Sequence, residues 1–427
     1  MAGQEHADGR DQGRLERDRL RSEGEPIIAN RAARWKAVCR EPYRVFFPIG
    51  VVAGMFGVSH WLLYALGLVP EYSAVYHSSV QTQLYVSLFI FGFLTTAAPR
   101  FAGAPPATPR ETGVFLFLFS ALFLGLAFHA WMLSDAIFCL LLLNLFLFLV
   151  RRIRKSGYRP PAEFVWVPAG ILCGFAGAAL SIAARAGWVS QQVLAAGKGM
   201  KEQGFVLFVV LGIGGFLGPR LMGFPGLLDP SKIRSAAEGQ KRRRRRVLIH
   251  LAAALGLIAS FALEGSGSPR AAYGLRALLV SGEILWTASI YRFPAAAEVF
   301  ARILWHALWM VVLGYWACAV WPGQIKALLH LVFIGGFSLM ILAVATMVIL
   351  NHAGESEKLR GPSWTLRIAA TGLWIALAFR VAAVFFPADY FTVLGVAAAF
   401  WLMAGVCWLG LVAPRLTRRA ETGEDSC

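Results

Sequence analysis

Apolar runs broken by Pro, Gly and charged clusters recur along the chain from about residue 45 to about residue 413. A helix needs about 20 consecutive apolar residues to cross a bilayer core. The runs place spans near 45–69, 76–98, 112–134, 136–150, 162–184, 202–218, 247–264, 272–290, 302–321, 326–350, 364–386 and 391–413. The pattern predicts an all-α fold, a polytopic membrane bundle of about twelve transmembrane helices. Connections are short except for Pro219 to Arg246, which ends in the run Lys241-Arg242-Arg243-Arg244-Arg245-Arg246. That segment, 219–246, reads as a basic cytoplasmic loop between a first half, 41–218, and a second half, 247–414. Residues 1–40 and 415–427 read as polar tails.

Composition agrees with the spans. The chain is 57% hydrophobic and only 15% charged, against about 25% charged for soluble domains. Too few charges remain to coat a water-facing surface. A net charge of +17 in a soluble protein would point to nucleic acid. Here the cations sit in alternate connections, which makes orientation the better account.

One set of connections holds Arg100 and Arg110, then Arg151, Arg152, Arg154 and Lys155, then the 241–246 run. It continues through Arg292 and Arg302, then Lys358, Arg360 and Arg367, and ends with Arg415, Arg418 and Arg419. The opposite set holds Glu71, Asp135 and Asp389, with Arg185, Lys198, Lys201, Arg270 and Lys326 as its few cations. The positive-inside rule then puts both termini in the cytoplasm and requires an even number of spans. The basic run reads as a contact for anionic lipid. No aromatic interleaving accompanies it, so no nucleic-acid partner is expected.

The N-terminal region lacks the apolar core of a signal peptide. Residues 1–30 read as a disordered tail and Arg31 to Arg40, with Trp35, as a basic interfacial helix. The six cysteines show no paired spacing and no CxxC, so neither a disulfide framework nor a zinc site is expected.

Topology turns the histidines into a depth map. His60, His77, His129 and His330 fall in an outer layer, and His250, His306 and His352 in an inner one. His330 and His352 lie at opposite ends of one span, about 33 Å apart at 1.5 Å per residue, so they cannot share a metal. Imidazole in hydrocarbon is costly without a partner or a metal, and neutral imidazole ligates both haem iron and copper. His77 and His330 begin two different spans at equal depth, as a bis-histidine haem between helices requires. His306 and His352 form the corresponding inner pair, with His250 as a third candidate. A satisfied hydrogen bond is the bland alternative for each of them.

Other chemistry is sparse. The chain has no P-loop, GxSxG, HExxH or Gly-rich dinucleotide turn. Gly212, Gly214, Gly215 and Gly218 read as a close-packing stripe. Intramembrane Glu283 reads as either a proton carrier or a partner for Arg276, and Arg380 as either a haem-propionate partner or a cap on a carbonyl.

Several stretches resemble the NnrS family, haem- and copper-containing membrane proteins linked to nitric oxide and nitrosative stress. Pro42-Tyr43-Arg44-Val45-Phe46-Phe47 resembles that family's Phe-Arg-Pro-Phe-Phe opening. Tyr76-His77, followed by Gly92-Phe93-Leu94-Thr95-Thr96-Ala97-Ala98-Pro99, is similar to its Trp-His…Gly-Phe-Leu-Leu-Thr-Ala-Val-Pro segment. Gly214-Gly215 and Pro219 resemble its Gly-Gly-Arg-Val-Ile-Pro, and the stretch from His330 to Gly354 its His-Ala-Leu-Thr-Val-Gly…Gly-His-Thr-Gly. Leu304-Trp305-His306, Arg380 and Pro414 also fall on family-like positions.

The resemblance implies haem b, with copper as a second metal, in a bundle of a bacterial inner membrane. Its ligands would come from His77, His306, His330 and His352, with nitric oxide as the small-molecule partner. The chain departs from the family where His-Ala-His-Glu becomes His77-Ser78-Ser79-Val80. The arginines of Gly-Gly-Arg and Met-Thr-Arg become Phe216 and Met347.

Two other functions compete. A secondary transporter also suits twelve helices in two halves, but Pro99-Arg100-Phe101-Ala102-Gly103 lacks the Gly-x-x-x-Asp-Arg pattern of the commonest carriers. A haem–copper oxidase also has twelve helices, yet the chain has no His-His pair of the kind that ligates copper there.

Overall fold

The computed structural model describes Trp35 and residues 38–156, 160–224, 236–296, 298–360 and 363–416. The proposed disordered tail 1–30 and the closing residues 417–427 lie outside them, as does most of the expected interfacial helix 31–40. Among the described residues every regular element is helical.

Long helices follow one another as α1 (Tyr43–Ala65), α2 (Ala74–Phe101), α3 (Pro109–Ala127), α4 (Trp131–Ser156), α5 (Ala162–Arg185) and α6 (Gln191–Leu221). After these come α7 (Ala236–Gly265) and α8 (Pro269–Ala288), then α9 (Val299–Val320), α10 (Pro322–His352), α11 (Trp364–Phe385) and α12 (Tyr390–Arg415). Eleven of them are long and apolar enough to cross a membrane. The exception is α8, the counterpart of the expected span 272–290. Its 20 residues carry Arg270, Arg276 and Glu283, which dilute its hydropathy.

Helix ends show why some expected boundaries moved. Thr108 caps α3 in a reciprocal capping box with Glu111, and Pro109 occupies the first turn. The α3–α4 turn comes at residues 128–130, with His129 left-handed at φ 58°, and not at Asp135 as expected. His129 is therefore in a turn, and Asp135 is inside α4. The basic run 241–246, expected in a loop, is helical and continuous with α7.

Packing follows a period of four helices. Within each group the first helix packs on the second and the third on the fourth. The fourth then meets the first of the next group, as α4 on α5, α8 on α9 and α12 on α1, which closes the ring. The second helix of every group carries a stretch of wide π-helical turns: Val80–Val86 in α2, Met200–Gly204 in α6 and Leu331–Ser338 in α10. In α2 and α10, 72% of the apolar window is buried, against 33% in α3 and α7, which puts α2 and α10 inside and α3 and α7 on the periphery. The helix α2 touches α6 through the two π segments, and it touches α10 where the Tyr85 and Ser338 hydroxyls pair.

Close approach is set by glycine. A Cβ on Gly54 would lie 2.7 Å from the Trp401 ring and 2.9 Å from that of Tyr85. In the expected small-residue stripe, Gly212 backs onto Trp166 and Gly215 onto Thr287, whereas Gly214 and Gly218 have room to spare.

Candidate cofactor site

The helix α1 gives α2 two landing points one turn apart. The carbonyl of Gly54 accepts from Gln81 Nε2 at 2.8 Å, and the carbonyl of Gly57 takes His77 Nδ1 at 2.9 Å. Backbone oxygens are reachable there because the residues carrying them have no side chain. A Cβ on Gly57 would meet Gln81 at 2.7 Å and Val80 at 2.8 Å. Trp61 stands edge-on to the His77 ring, with centroids 5.6 Å apart.

On α10, His330 Nδ1 pairs with the Lys326 carbonyl at 2.9 Å, one turn back. Arg380 of α11 donates Nη2 to that same oxygen at 3.2 Å, while its Nη1 is buried without a hydrogen-bond partner. His77, His330 and Arg380 interact electrostatically with one another. His330 and Arg380 thus meet at the Lys326 carbonyl, and His77 is within electrostatic reach of both.

Each imidazole spends Nδ1–H on a backbone carbonyl, which fixes the tautomer and leaves the Nε2 lone pair for a ligand. That donor set fits a bis-histidine haem, and the orphaned Arg380 N–H fits an anionic carboxylate. A narrow cleft lies about two turns deeper, lined by Val51, Tyr85, Ser338, Leu342, Trp401 and Trp408 and not by the imidazoles.

The other outer histidines are engaged elsewhere. His60 Nε2 accepts the Ser73 N–H at 2.5 Å, and His129 stacks on Trp131 with ring centroids 5.1 Å apart.

The inner pair is seated differently. His352 pairs Nδ1 with the Val348 carbonyl at 2.7 Å, lies 5.1 Å from the Tyr43 ring and contacts the Arg100 guanidinium through Nε2. A guanidinium can only donate, so Arg100 takes the lone pair a metal would need. Around it, Glu41 bridges Arg100 at 2.5 Å and Arg44 at 2.6 Å. His306 is exposed, pairs Nδ1 with the Arg302 carbonyl at 2.7 Å and faces Trp374 of α11. The described contacts of the two rings thus go to different neighbours. Among the described residues, no group of three or more His, Cys, Asp or Glu side chains is placed to hold a metal.

His250 joins neither member of this pair. It is fully buried between α5, α7 and α8, with Nδ1 2.9 Å from Glu283 and 3.2 Å from the Trp166 indole nitrogen. Glu283 therefore pairs with His250 and not with Arg276. The Arg276 guanidinium is held by Glu264 at 2.8 Å, Gln203 at 2.9 Å and Ser260 at 3.1 Å, over the Phe261 ring.

Sequence reasoning missed Gly54, Gly57 and Gln81, which position α2. It also placed Asp135 and Lys201 in loops, although they form a buried pair at 2.5 Å. The only signal for that pair was two charges bordering apolar runs, which is also what a loop looks like.

The fold and the site together define a polytopic α-helical membrane protein with two oriented imidazoles and a guanidinium gathered at one end of its inner helices. The family model described as NnrS protein matches residues 37–419, nearly the whole chain, and the chain belongs to that family. No curated protein matches it.

Proposed function

We propose that this chain is a haem b protein of the bacterial cytoplasmic membrane that acts in the response to nitric oxide. One observation carries the reading: His77, His330 and Arg380, from three helices, are electrostatic neighbours with both Nδ1 atoms already committed to carbonyls. His77 and His330 would hold the haem iron, and Arg380 would pair with a propionate. When bound, the haem supplies the iron at which nitric oxide ligates. The residues contribute orientation: Gly57 and Lys326 hold the rings, and the bundle excludes water.

Copper, the second metal implied by the family, does not fit His306 and His352 as they stand: the two rings meet different neighbours, and Arg100 takes the His352 lone pair. The four-helix packing period and the imidazole pair favour a cofactor protein over a two-halved carrier.

The test is the absorption spectrum of the purified protein, before and after dithionite and then nitric oxide. Wild type is expected to show a b-type haem perturbed by nitric oxide, and His77→Ala and His330→Ala to lose it. Full haem retention in both variants rejects the ligand assignment.

A further inference from the structure

Three side chains from three helices meet at the same end of the bundle as His77. Asp135 of α4, Gln83 of the π segment of α2 and Lys201 of the π segment of α6 are 2%, 0% and 3% exposed. Lys201 Nζ lies 2.5 Å from Asp135 Oδ1, and Gln83 Nε2 donates to that same oxygen at 2.8 Å. The other two oxygens of this arrangement, Asp135 Oδ2 and Gln83 Oε1, are buried with no hydrogen-bond partner.

Buried polar atoms in native structures nearly always have partners. Here two acceptors lack a donor. A carboxyl and a carboxamide make a complementary pair only when the acid is protonated. The amide N–H then donates to one acid oxygen, and the acid O–H donates back to the amide oxygen. The first half of that pair is already in place. Wide π-helical turns recur at functional sites, and two of the three among the described residues deliver Gln83 and Lys201 to one carboxylate.

The groups facing Asp135 are Lys201, Gln83 and, 3.9 Å from Oδ2, the Arg185 guanidinium at the end of α5. The Cys139 thiol lies one turn along α4 and interacts with Asp135 electrostatically. Glu202, beside Lys201, interacts with both members of the pair and hydrogen-bonds Ser78, the residue after His77. It also lies 3.9 Å from Lys198, whose half-exposed ammonium opens the cluster to water at this end. Gln83 is six residues along α2 from His77, about 9 Å at 1.5 Å per residue.

We propose that Asp135, with Lys201 and Gln83, is a proton-holding site whose occupancy is coupled to the charge at the His77–His330 pair. The proposal rests on the haem reading above. A one-electron reductant would add one negative charge at the haem, and this chain's part is to take one proton from hydronium at this end onto Asp135 Oδ2, where its O–H donates to Gln83 Oε1. Charge in the low-dielectric interior is then balanced one for one, and no other bond forms or breaks. When a one-electron oxidant withdraws that charge, the proton would return from Asp135 to water.

The test is a spectroelectrochemical titration of the haem midpoint potential across pH 5 to 9, with a soluble mediator as electron source. Wild type is compared with Asp135→Asn, which keeps the shape but cannot take the proton. The second variant, Asp135→Asn combined with Lys201→Met, leaves no buried charge unpaired if the single change fails to fold. A wild-type potential that falls as pH rises, with the slope lost in the variants, supports the proposal. A wild-type slope retained in a fully haem-loaded variant overturns it, as does a wild-type potential indifferent to pH. Infrared difference spectra on acidification supply a readout that needs no haem. A carboxylic acid C=O band present in wild type and lost in Asp135→Asn is expected, and its absence from wild type overturns proton holding. Protein that carries the band but no haem overturns the coupling and the haem reading while leaving the proton site standing.

Discussion

The hydrogen bond from His77 to Gly57 is the most exposed joint of the proposed cofactor site, because it depends on a single missing methyl group. In Gly57→Ala the new Cβ would lie 2.7 Å from Gln81 and 2.8 Å from Val80, closer than real Cβ contacts allow. Gln81 is flexible, but Val80 is β-branched and buried in α2, so the helix has to retreat. Restoring ordinary contact takes about 0.7 Å. The 2.9 Å link between His77 and the Gly57 carbonyl then lengthens beyond the usual range of about 2.7–3.2 Å.

Two costs follow. Overpacking of this kind destabilises by about 1–3 kcal/mol, and loss of the carbonyl that orients a ligating imidazole typically weakens metal binding by about 10- to 100-fold. Haem titrated into apo-protein, followed by absorbance, measures the second cost. Gly410→Ala is the control, since nothing lies within 4 Å of a Cβ there. Wild-type affinity and spectrum in Gly57→Ala would refute the reasoning, as would an equal loss in Gly410→Ala.

Two further outcomes are expected. Outside the spans, the Lys358 hydrogen bond and the Arg415 guanidinium, against the opposing effect of partial burial, hold Glu355 down to a pKa of about 2. Burial works to raise the pKa of Glu41, but Arg44, His352 and Arg100 outweigh it and lower the value. Both folded values lie below the unfolded one of about 4.3, so this stability is complete above that pH and drains away as the pH falls toward about 2. The thermal midpoint of the detergent-solubilised protein should therefore drop between pH 5 and pH 3, and less steeply in Glu355→Gln; identical profiles would exclude the pairing as the cause. For topology, if α8 crosses the membrane with the other eleven helices, both termini lie on one side, which the cation asymmetry predicts to be the cytoplasm. Reporter fusions after Glu71, Ser268 and Asp389 should then report the periplasm, and a periplasmic signal at Arg154 or Gln240 would break the map.

Apolar run length made the helices legible in the sequence, and depth put His77 and His330 at one level. A histidine at the start of an apolar run has few positions to occupy, so His77 and His330 could be matched without knowing which helices touch. Boundaries without Gly or Pro were not legible. The α3–α4 turn is made by His129 in a left-handed conformation, and nothing in Phe128-His129-Ala130 marks it as a breaker. The inner pair shows the limit of depth alone. His306 and His352 share a level by residue counting, but azimuth around each helix decides contact, and the described contacts of the two rings go to Trp374 and to Arg100. Lys201 and Asp135 were assigned to water because charge in a membrane sequence is usually loop. Their burial depends on each finding the other from helices 66 residues apart.

The four-helix period explains why two histidines from distant parts of the chain arrive at one place. His77 precedes the π segment of α2 by three residues, and His330 precedes that of α10 by one. Both therefore sit at the mouth of the same structural feature, in equivalent helices of the first and third groups. In the middle group the corresponding stretch before Met200 reads Ala195-Ala196-Gly197-Lys198-Gly199, with no imidazole. The middle group supplies charge instead: Lys201 and Gln203 come from its π segment, the first to Asp135 and the second to Arg276. A π turn adds one residue to the helical circuit and so shifts the side chains on either side of it to different faces. In α2 this lets His77 reach back to α1 while Gln83, six residues later, faces α4. An uninterrupted α-helix advances 100° per residue, so residues six apart lie about 120° from coincidence. The π insertion shifts that relation, and with it which helix each side chain meets. The same feature that follows the two imidazoles along their helices thus turns Gln83 toward the buried polar cluster.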